Sequence, residues 1–347
     1  MQRALTIDGS IGEGGGQMLR TSISLSAILK IPIEINNIRA KRPNPGLRPQ
    51  HLSAVKSVAE LFSAKVENLQ LGADWIRFHP SDKFNPPSNP LDIGTAGSIP
   101  LVLLTLIPAV ALSGNSLELE IIGGTDVKAS PTLDYIRFVA LAAYRMIGIR
   151  FEIEVKKRGY YPKGGGRVKV KISRCSSPQP VELLDMRISE PNVHSVCSGL
   201  PNHVADRQIS SAIAAIEKAG MRCRICSSSI ETSHSPGTSV LVYSTSEYGS
   251  FRGGDCIGER GKPAETVGRE AANRFIDVTC TPAAVDPFLA DMLVIPLSLC
   301  KGLSRYHASR ITSHLTTNLE LASQFTGCQY SIDKQERRSE GIVEIRG

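Results

Sequence analysis

The 347-residue sequence predicts a mixed α/β (α+β) fold, with repeated strand–helix units and a smaller α/β domain inserted between them. Segments with the two-residue period of a strand alternate with segments that have the 3.6-residue period of a helix. A glycine triplet at residues 14–16 returns at residues 164–166, which hints at a repeated unit. The composition shifts at residues 173–180 and again at 279–287, so the segment between them is a candidate insert.

The first units can be read directly from their periods. Residues 4–8 are typical of a strand, and Leu19, Ile23 and Ala27 then fall on one face of a helix. The next predicted elements are a strand over residues 31–38, a helix carrying Leu52, Val55, Ala59 and Phe62, and a short strand over residues 75–78. We predict a large domain of residues 1–178 and 280–347 and a small insert domain of residues 179–279. Within the insert, residues 233–238 and 251–258 look like surface loops.

The longest apolar run, residues 99–112, contains two prolines and is shorter than the ~20 residues that span a bilayer. It therefore predicts buried structure, and we expect no membrane partner. The first residues lack the pattern of a secretory signal, so we expect a cytoplasmic protein. Forty basic and 33 acidic residues give a net charge of +7, which would attract a polyanion such as RNA without identifying one.

The eight cysteines are too few for a disulfide scaffold in a chain of this length. Cys223 and Cys226 form a C-x-x-C pair, but a zinc site needs two further ligands at regular spacing, and the sequence has no second pair. Buried thiols are therefore favoured over a zinc centre.

A glycine-rich loop, Gly12 to Arg20, lies between a predicted strand and a predicted helix. Unpaired amides of a first helical turn favour anions, and glycines allow a phosphate to approach the backbone closely. The loop matches neither a Walker A motif nor a dinucleotide fingerprint. A tight turn that needs glycine is the alternative, although Glu13 could hold a divalent cation that bridges to phosphate.

A second candidate is the basic segment 39–51, in which four cations lie among three prolines. Arginines on a stiff loop suit bidentate phosphate contacts, while a solvated basic loop is the alternative. A third is Asp291, a carboxylate in the otherwise apolar helical segment 287–296, which needs a partner. It either pairs with a neighbour or faces a nucleotide, whose base could lie on Phe288.

The fourth candidate is His314, which the spacing of Leu315, Leu319 and Ala322 places in the first turn of a helix. Thr312 or Ser313 is the expected cap, and Gly327 is the expected stop. The helix dipole disfavours imidazolium, and a neutral imidazole is a competent nucleophile toward phosphorus. A structural histidine remains the alternative for any one of the seven histidines.

Together these residues resemble the RNA 3′-terminal phosphate cyclase family over nearly the whole chain. The stretches that carry the resemblance are residues 8–20, 38–52, 94–98, 123–126 with Pro131, 159–166, 289–291 and 314–318. The resemblance implies a ligase in which His314 attacks the α-phosphate of ATP and forms histidinyl-AMP. The adenylate would pass to an RNA 3′-phosphate, and the 2′-hydroxyl would then displace AMP to close a 2′,3′-cyclic phosphate.

The same resemblance implies roles for further residues. The implied ATP-binding residues are Leu104, Pro131, Phe288, Leu289, Ala290, Asp291, Met292 and Gln50, with Pro131 and Phe288 flanking the adenine. Gln17, Arg20, Arg39 and Arg42 would hold phosphates of ATP or of the RNA end, and Glu13 would meet Mg²⁺ or Mn²⁺. Leu104 and Met292 replace glutamines expected from the family pattern, which removes two hydrogen-bonding amides at the nucleotide.

The implied fold is a large domain of repeated α/β units, with helices packed on sheets and a small α/β insert, as in enolpyruvyl transferases. Two other functions remain open: a non-catalytic cyclase-like protein of RNA binding and ribosome assembly, and an enolpyruvyl-type transferase. His314, together with Glu13, Arg20 and Arg42, favours the enzyme over the scaffold. The sequence leaves open the choice between a monomer and a homodimer.

Overall fold

The computed structural model describes residues 3–12, 14–94, 97–185, 187, 189–334 and 339–347. These residues form four mixed sheets of four strands each, with helices packed on them. The predicted α/β (α+β) class is therefore confirmed.

The first repeat consists of β1 (Leu5–Asp8), α1 (Gly16–Leu29), β2 (Ile33–Asn36), α2 (Pro49–Leu61), β3 (Lys65–Glu67) and β4 (Ile76–His79). The strands β1 and β2 are parallel, whereas β4 pairs antiparallel with both β2 and β3. The spatial order is β1-β2-β4-β3. The predicted strands and helices of this region are present, and the short strand β3 was not predicted.

The second repeat has the same topology. It consists of β5 (Leu91–Asp92), α3 (Ile99–Leu112), β6 (Leu117–Gly123), α4 (Leu133–Tyr135), a π-helical turn (Ile136–Ala140), α5 (Leu141–Ile147), β7 (Phe151–Lys157) and β8 (Gly166–Ile172). Its strand order is β5-β6-β8-β7, which corresponds position by position to the first sheet. The apolar run 99–112 is the helix α3, and most of its side chains are buried, as predicted.

A third repeat begins with β9 (Glu182–Leu183) and is interrupted after it. The interrupting segment consists of β10 (Asn192–Ser198), α6 (His203–Lys218), β11 (Ile225–Ile230), β12 (Gly237–Ser246), β13 (Ser250–Ile257) and α7 (Ala264–Thr279). The repeat resumes with α8 (Pro287–Leu297), β14 (Leu303–Ala308), α9 (Ser313–Thr326), β15 (Gln329–Asp333) and β16 (Gly341–Arg346). Its order, β9-β14-β16-β15, matches the other two repeats.

The interrupting segment forms its own sheet, in the order β11-β10-β12-β13, and has a separate apolar core with α6 and α7. The strand β9 lies inside the range predicted for the insert but pairs with β14 of the third repeat. The division of the chain into two domains stays a prediction. The glycine triplets that hinted at repetition occupy different places, because one precedes α1 and the other lies between β7 and β8.

The prediction of surface loops in the insert is wrong for residues 251–258 and for the end of 233–238. Residues 251–257 belong to β13 and are largely buried, and Gly237 and Thr238 begin β12. The glycines of β13 serve close packing: a Cβ on Gly253 would lie 2.7 Å from the ring of Tyr135, and one on Gly254 would lie 2.4 Å from the backbone of Phe275.

In the described part of the chain, every helix is too short or too polar to cross a bilayer.

A buried ion cluster around Arg158 joins the second repeat to the insert. The Arg158 side chain has no exposed surface, and its guanidinium lies 3.2 Å from Asp126 Oδ2, 2.8 Å from Asp134 Oδ2 and 2.9 Å from Glu231 Oε2. Burial alone would lower the pKa of Arg158, but Asp134 and Asp126 raise it well above its usual value. Glu231 follows β11, so this arginine connects two sheets that have separate cores.

We expect Arg158→Met to lower the free energy of unfolding by about 3–5 kcal/mol, because it leaves buried carboxylates without their cation. Urea unfolding at neutral pH measures the change. The control is Arg77→Met, which breaks a partly exposed pair with Glu34 at 2.7 Å and should cost about 0–1 kcal/mol. Equal losses in the two variants would contradict the structural importance of the cluster.

Candidate active site

The amino ends of α1 and α9 lie side by side although about 300 residues separate them in the chain. A Cβ on Gly12 would lie 2.0 Å from Oγ1 of Thr317, so only glycine allows this approach. Further along α1, Thr21 Oγ1 donates a hydrogen bond of 2.9 Å to Asn318 Oδ1 of α9, and both residues are buried. These contacts bring the glycine-rich loop and the His314 segment together.

The described residues of the glycine-rich loop include two glycines in the left-handed backbone region and one at a helix start. Gly12 and Gly14 have positive φ angles of 61° and 55°, and Gly15, at the N-cap of α1, has no side chain to cap the helix. Lys41 Nζ donates to the carbonyl oxygen of Gly12 at 3.0 Å, and a Cβ on Gly15 would lie 3.0 Å from Nη2 of Arg42. Two cations of the basic segment therefore lie against the loop, beside helix amides that an anion could accept from.

His314 occupies the first turn of α9, as predicted. The Thr312 hydroxyl caps the helix by accepting from the Leu315 amide at 3.0 Å, and Gly327 ends it with a φ of 73°. The His314 side chain is half-buried and faces a cleft shared with the glycine-rich loop. The residues lining this cleft are Ile11, Gly14, Gly15, Gln17, Met18, His314, Thr317 and Asn318.

Asp291 links α8 to the start of α9. Its Oδ1 accepts a hydrogen bond of 3.2 Å from Thr312 Oγ1, the hydroxyl that caps the helix of His314. The partner that this carboxylate was predicted to need is thus part of the candidate site. The carboxylate remains half-buried, so it still contacts solvent.

The other residues of the predicted nucleotide site differ in accessibility. Phe288 is 53% exposed, with its ring edge-on to Tyr135 at 6.3 Å between centroids. Leu289 and Ala290 are fully buried, so their side chains support the helix from the core. Of the remaining four, Leu104 and Met292 are half-buried, Pro131 is buried ahead of α4, and Gln50 is exposed in the first turn of α2.

The predicted phosphate-binding residues lie in three different surroundings. Arg20 is partly exposed on α1, and burial lowers its pKa to about 10. Gln17 and Arg42 lie at the glycine-rich loop. Arg39 donates hydrogen bonds to the carbonyl oxygens of Asn44 and Gly46, so its guanidinium stabilises the conformation of the basic segment.

Sequence reasoning did not single out His51, which lies beneath the start of α1. It is 1% exposed, its Nδ1 accepts from the Arg48 amide at 3.2 Å, and a Cβ on Gly16 would lie 2.0 Å from its Nε2. Burial lowers the pKa of His51 to about 3, and the charges of Arg20, Arg39 and Arg48 contribute. The sequence feature that could have identified it is a histidine at the end of a segment with four cations, where a further positive charge is unfavourable.

The predicted metal ligand, Glu13, lies outside the described residues. Among the residues that are described, no group of three or more His, Cys, Asp and Glu side chains has the geometry of a metal site.

The family model described as RNA 3′-terminal phosphate cyclase matches residues 11–332 of the chain. A protein named RNA 3′-terminal phosphate cyclase from Pyrobaculum aerophilum is 42% identical over 347 residues, covering 99% of this chain and 98% of that protein. Proteins of the same name from Hyperthermus butylicus and Pyrococcus furiosus are 45% and 42% identical, covering 91% and 94% of this chain and 90% and 95% of their own lengths.

Among solved structures, the enolpyruvyl transferase NikO from Streptomyces tendae aligns with a TM-score of 0.38 and 7% identity. The alignment covers 99% of this chain and 48% of that one, so the chain spans about half its length.

We expect the imidazole of His51 to stay neutral at pH 5, because its pKa lies near 3. Nitrogen-15 NMR of labelled histidine rings measures this, with the resonance assigned by its loss in His51→Asn. An unfolded chain binds this proton near pH 6.5, so the contribution of His51 to stability should fall as the pH drops from about 6.5 toward 3. Protonation of the ring above pH 5 in the folded protein would contradict the assignment.

Proposed function

Because the chain belongs to the RNA 3′-terminal phosphate cyclase family, we propose that it uses ATP and the nucleophile His314 to convert an RNA 3′-phosphate into a 2′,3′-cyclic phosphodiester. The observation that carries the mechanism is the shared cleft of His314 and the glycine-rich loop. There the His314 side chain and the residues at the start of α1 line the same space.

In the first step, an imidazole nitrogen of His314 attacks the α-phosphorus of ATP. A nitrogen–phosphorus bond forms, the bond to the bridging oxygen breaks, and pyrophosphate leaves with the electron pair. In the proposed complex the triphosphate lies along the glycine-rich loop, where amides of α1 and the cation Lys41 stabilise its charge. The start of α9 stabilises negative charge on the resulting histidinyl-AMP.

In the second step, an oxygen of the RNA 3′-phosphate attacks the phosphorus of the histidinyl-AMP. The nitrogen–phosphorus bond breaks, His314 is regenerated, and the RNA end carries a pyrophosphate-linked AMP. The 2′-hydroxyl then attacks the RNA phosphorus, loses its proton and displaces AMP, which closes the ring. Arg20 would hold these phosphates, since desolvation favours an anionic partner for its guanidinium.

The adenine lies on the exposed ring of Phe288, opposite Pro131, in the proposed complex. Gln50 is accessible for a polar contact to the nucleotide, and Asp291 can accept from it. Leu104 and Met292 provide no amide, so hydrogen bonding to the nucleotide rests on fewer side chains than in the family pattern. Leu289 and Ala290 set the position of the helix through core packing.

A divalent cation, Mg²⁺ or Mn²⁺, would neutralise phosphate charge, and the carboxylate of Glu13 is the oxygen ligand type that such ions prefer. The predicted cytoplasmic location and the homodimer stay predictions.

We expect His314→Ala to abolish covalent labelling by α-labelled ATP and ring closure on a 3′-phosphorylated RNA, because the attacking nitrogen is gone. The label should be acid-labile and alkali-stable and should map to the peptide containing residue 314. The matched control is His203→Ala, which removes an exposed histidine from the start of α6. Normal labelling of His314→Ala would refute the mechanism, and unlabelled wild-type protein would favour a non-catalytic RNA-binding role.

We expect Arg42→Ala to weaken use of the RNA end more than the reaction with ATP, measured as separate KM values for the two substrates. Loss of one phosphate contact should also make the salt dependence of RNA binding shallower by about one unit of slope. Arg145→Ala, at an exposed position on α5, is the control. An effect confined to ATP would reassign Arg42 to the nucleotide.

A further inference from the structure

The turn between β7 and β8 carries Tyr161, whose side chain is 85% exposed. The described structure shows no hydrogen bond or ring contact of this side chain. By contrast, the adjacent Tyr160 is buried, and its ring packs so closely on the insert that a Cβ on Gly237 would lie 2.1 Å from it. The chain thus buries one tyrosine of the pair and presents the other to solvent.

The backbone of this turn is held on both sides. The Gly164 amide donates to the Tyr160 carbonyl at 2.8 Å, and the Lys163 amide donates to Ser235 Oγ of the insert at 3.2 Å. On the other side, the Thr125 amide donates to the Gly159 carbonyl at 2.9 Å. Because the turn is fixed, little backbone freedom is lost when a ligand contacts Tyr161.

The segment of chain that contains Tyr161 is rich in cations. Residues 155–172 contain seven lysines and arginines and no acidic residue. Several of these cations are already paired, but Lys163 is exposed and has no acidic partner in the described part of the chain. Lys157 Nζ bonds to Nε2 of His234 at 2.8 Å, beside Gly165 of the same turn.

The turn lies at the same edge of the second repeat as the starts of α3 and α4. Both β6 and β7 run antiparallel to β8, so they run in the same direction and end at the same edge. Hydrogen bonds connect this edge to α2, whose first turn lies next to the start of α1. The Gly124 amide donates to the Gly97 carbonyl at 2.7 Å, and Ser53 Oγ of α2 donates to the Ile93 carbonyl at 3.0 Å.

We propose that Tyr161, with the exposed Lys163 two residues along the same turn, is a stacking site for a base of the single-stranded RNA upstream of its 3′-terminal nucleotide. An exposed aromatic face can stack on a nucleobase, a nearby cation can contact the adjoining phosphate, and such a contact tolerates any sequence. This inference rests on the proposed function for the identity of the ligand. It adds a contact away from the reacting phosphate and gives the β7–β8 turn a role in RNA binding.

The test is equilibrium binding, without ATP, of two 3′-phosphorylated RNAs, a dinucleotide and a dodecanucleotide. Tyr161→Ala should raise the Kd of the dodecanucleotide at least about fivefold and leave that of the dinucleotide unchanged. Tyr161→Phe should bind like the wild type, because the ring and not the hydroxyl makes the contact. Tyr248→Ala, which removes another exposed tyrosine, is the control.

Unchanged binding of the dodecanucleotide by Tyr161→Ala would overturn the stacking site. An equal loss for the dinucleotide would also overturn it, since the residue would then act at the RNA end. Because ATP is absent, the result is independent of histidinyl-AMP formation. Failure of the stacking site and failure of the proposed reaction can therefore be told apart.

Discussion

Parallel pairing of the first two strands in each repeat is the constraint on which the active site depends. The pairs β1–β2, β5–β6 and β9–β14 are parallel, so each needs a helical crossover that returns the chain to the starting edge. Helices that follow parallel strands then begin where those strands end. Contacts between repeats, such as that of Gly12 with Thr317, then bring helix starts together, and their unpaired amides and dipoles suit phosphate.

A buried carboxylate, that of Asp286, connects the insert to the repeats. Asp286 caps α8 by accepting from the amides of Phe288 and Leu289, and it also accepts from the Tyr135 hydroxyl and from the Gly253 amide of β13. Burial raises the pKa of Asp286 to about 6, in spite of these hydrogen bonds. Phe288, the proposed adenine platform, is thus held by a residue that also contacts the insert.

The sequence predicted the features that depend on neighbouring residues and missed those that depend on residues far away in the chain. The helices of His314 and of Asp291 were predicted correctly, because their periods and caps are local. The strand β13 was missed because its glycines and charges are typical of a loop. Its burial depends on distant partners: Arg252 donates to the Ala283 carbonyl, and Asp255 accepts from the Thr132 amide. The meeting of α1 with α9 is likewise long-range and has no signature in local spacing.

The cations of the basic segment are held closer together than they would lie in an unfolded chain. Arg39 has a pKa lowered by burial and by Arg48 and Arg42, burial lowers that of Arg20, and His51 is kept neutral among them. The lowered pKa of each arginine means that the folded protein disfavours its positive charge, which costs stability, whereas His51 costs stability only below about pH 6.5. In the proposed complex, a bound phosphate would reverse this by supplying negative charge. Binding of the substrate and stability of the site are therefore linked, because an anion that binds only the folded protein stabilises it.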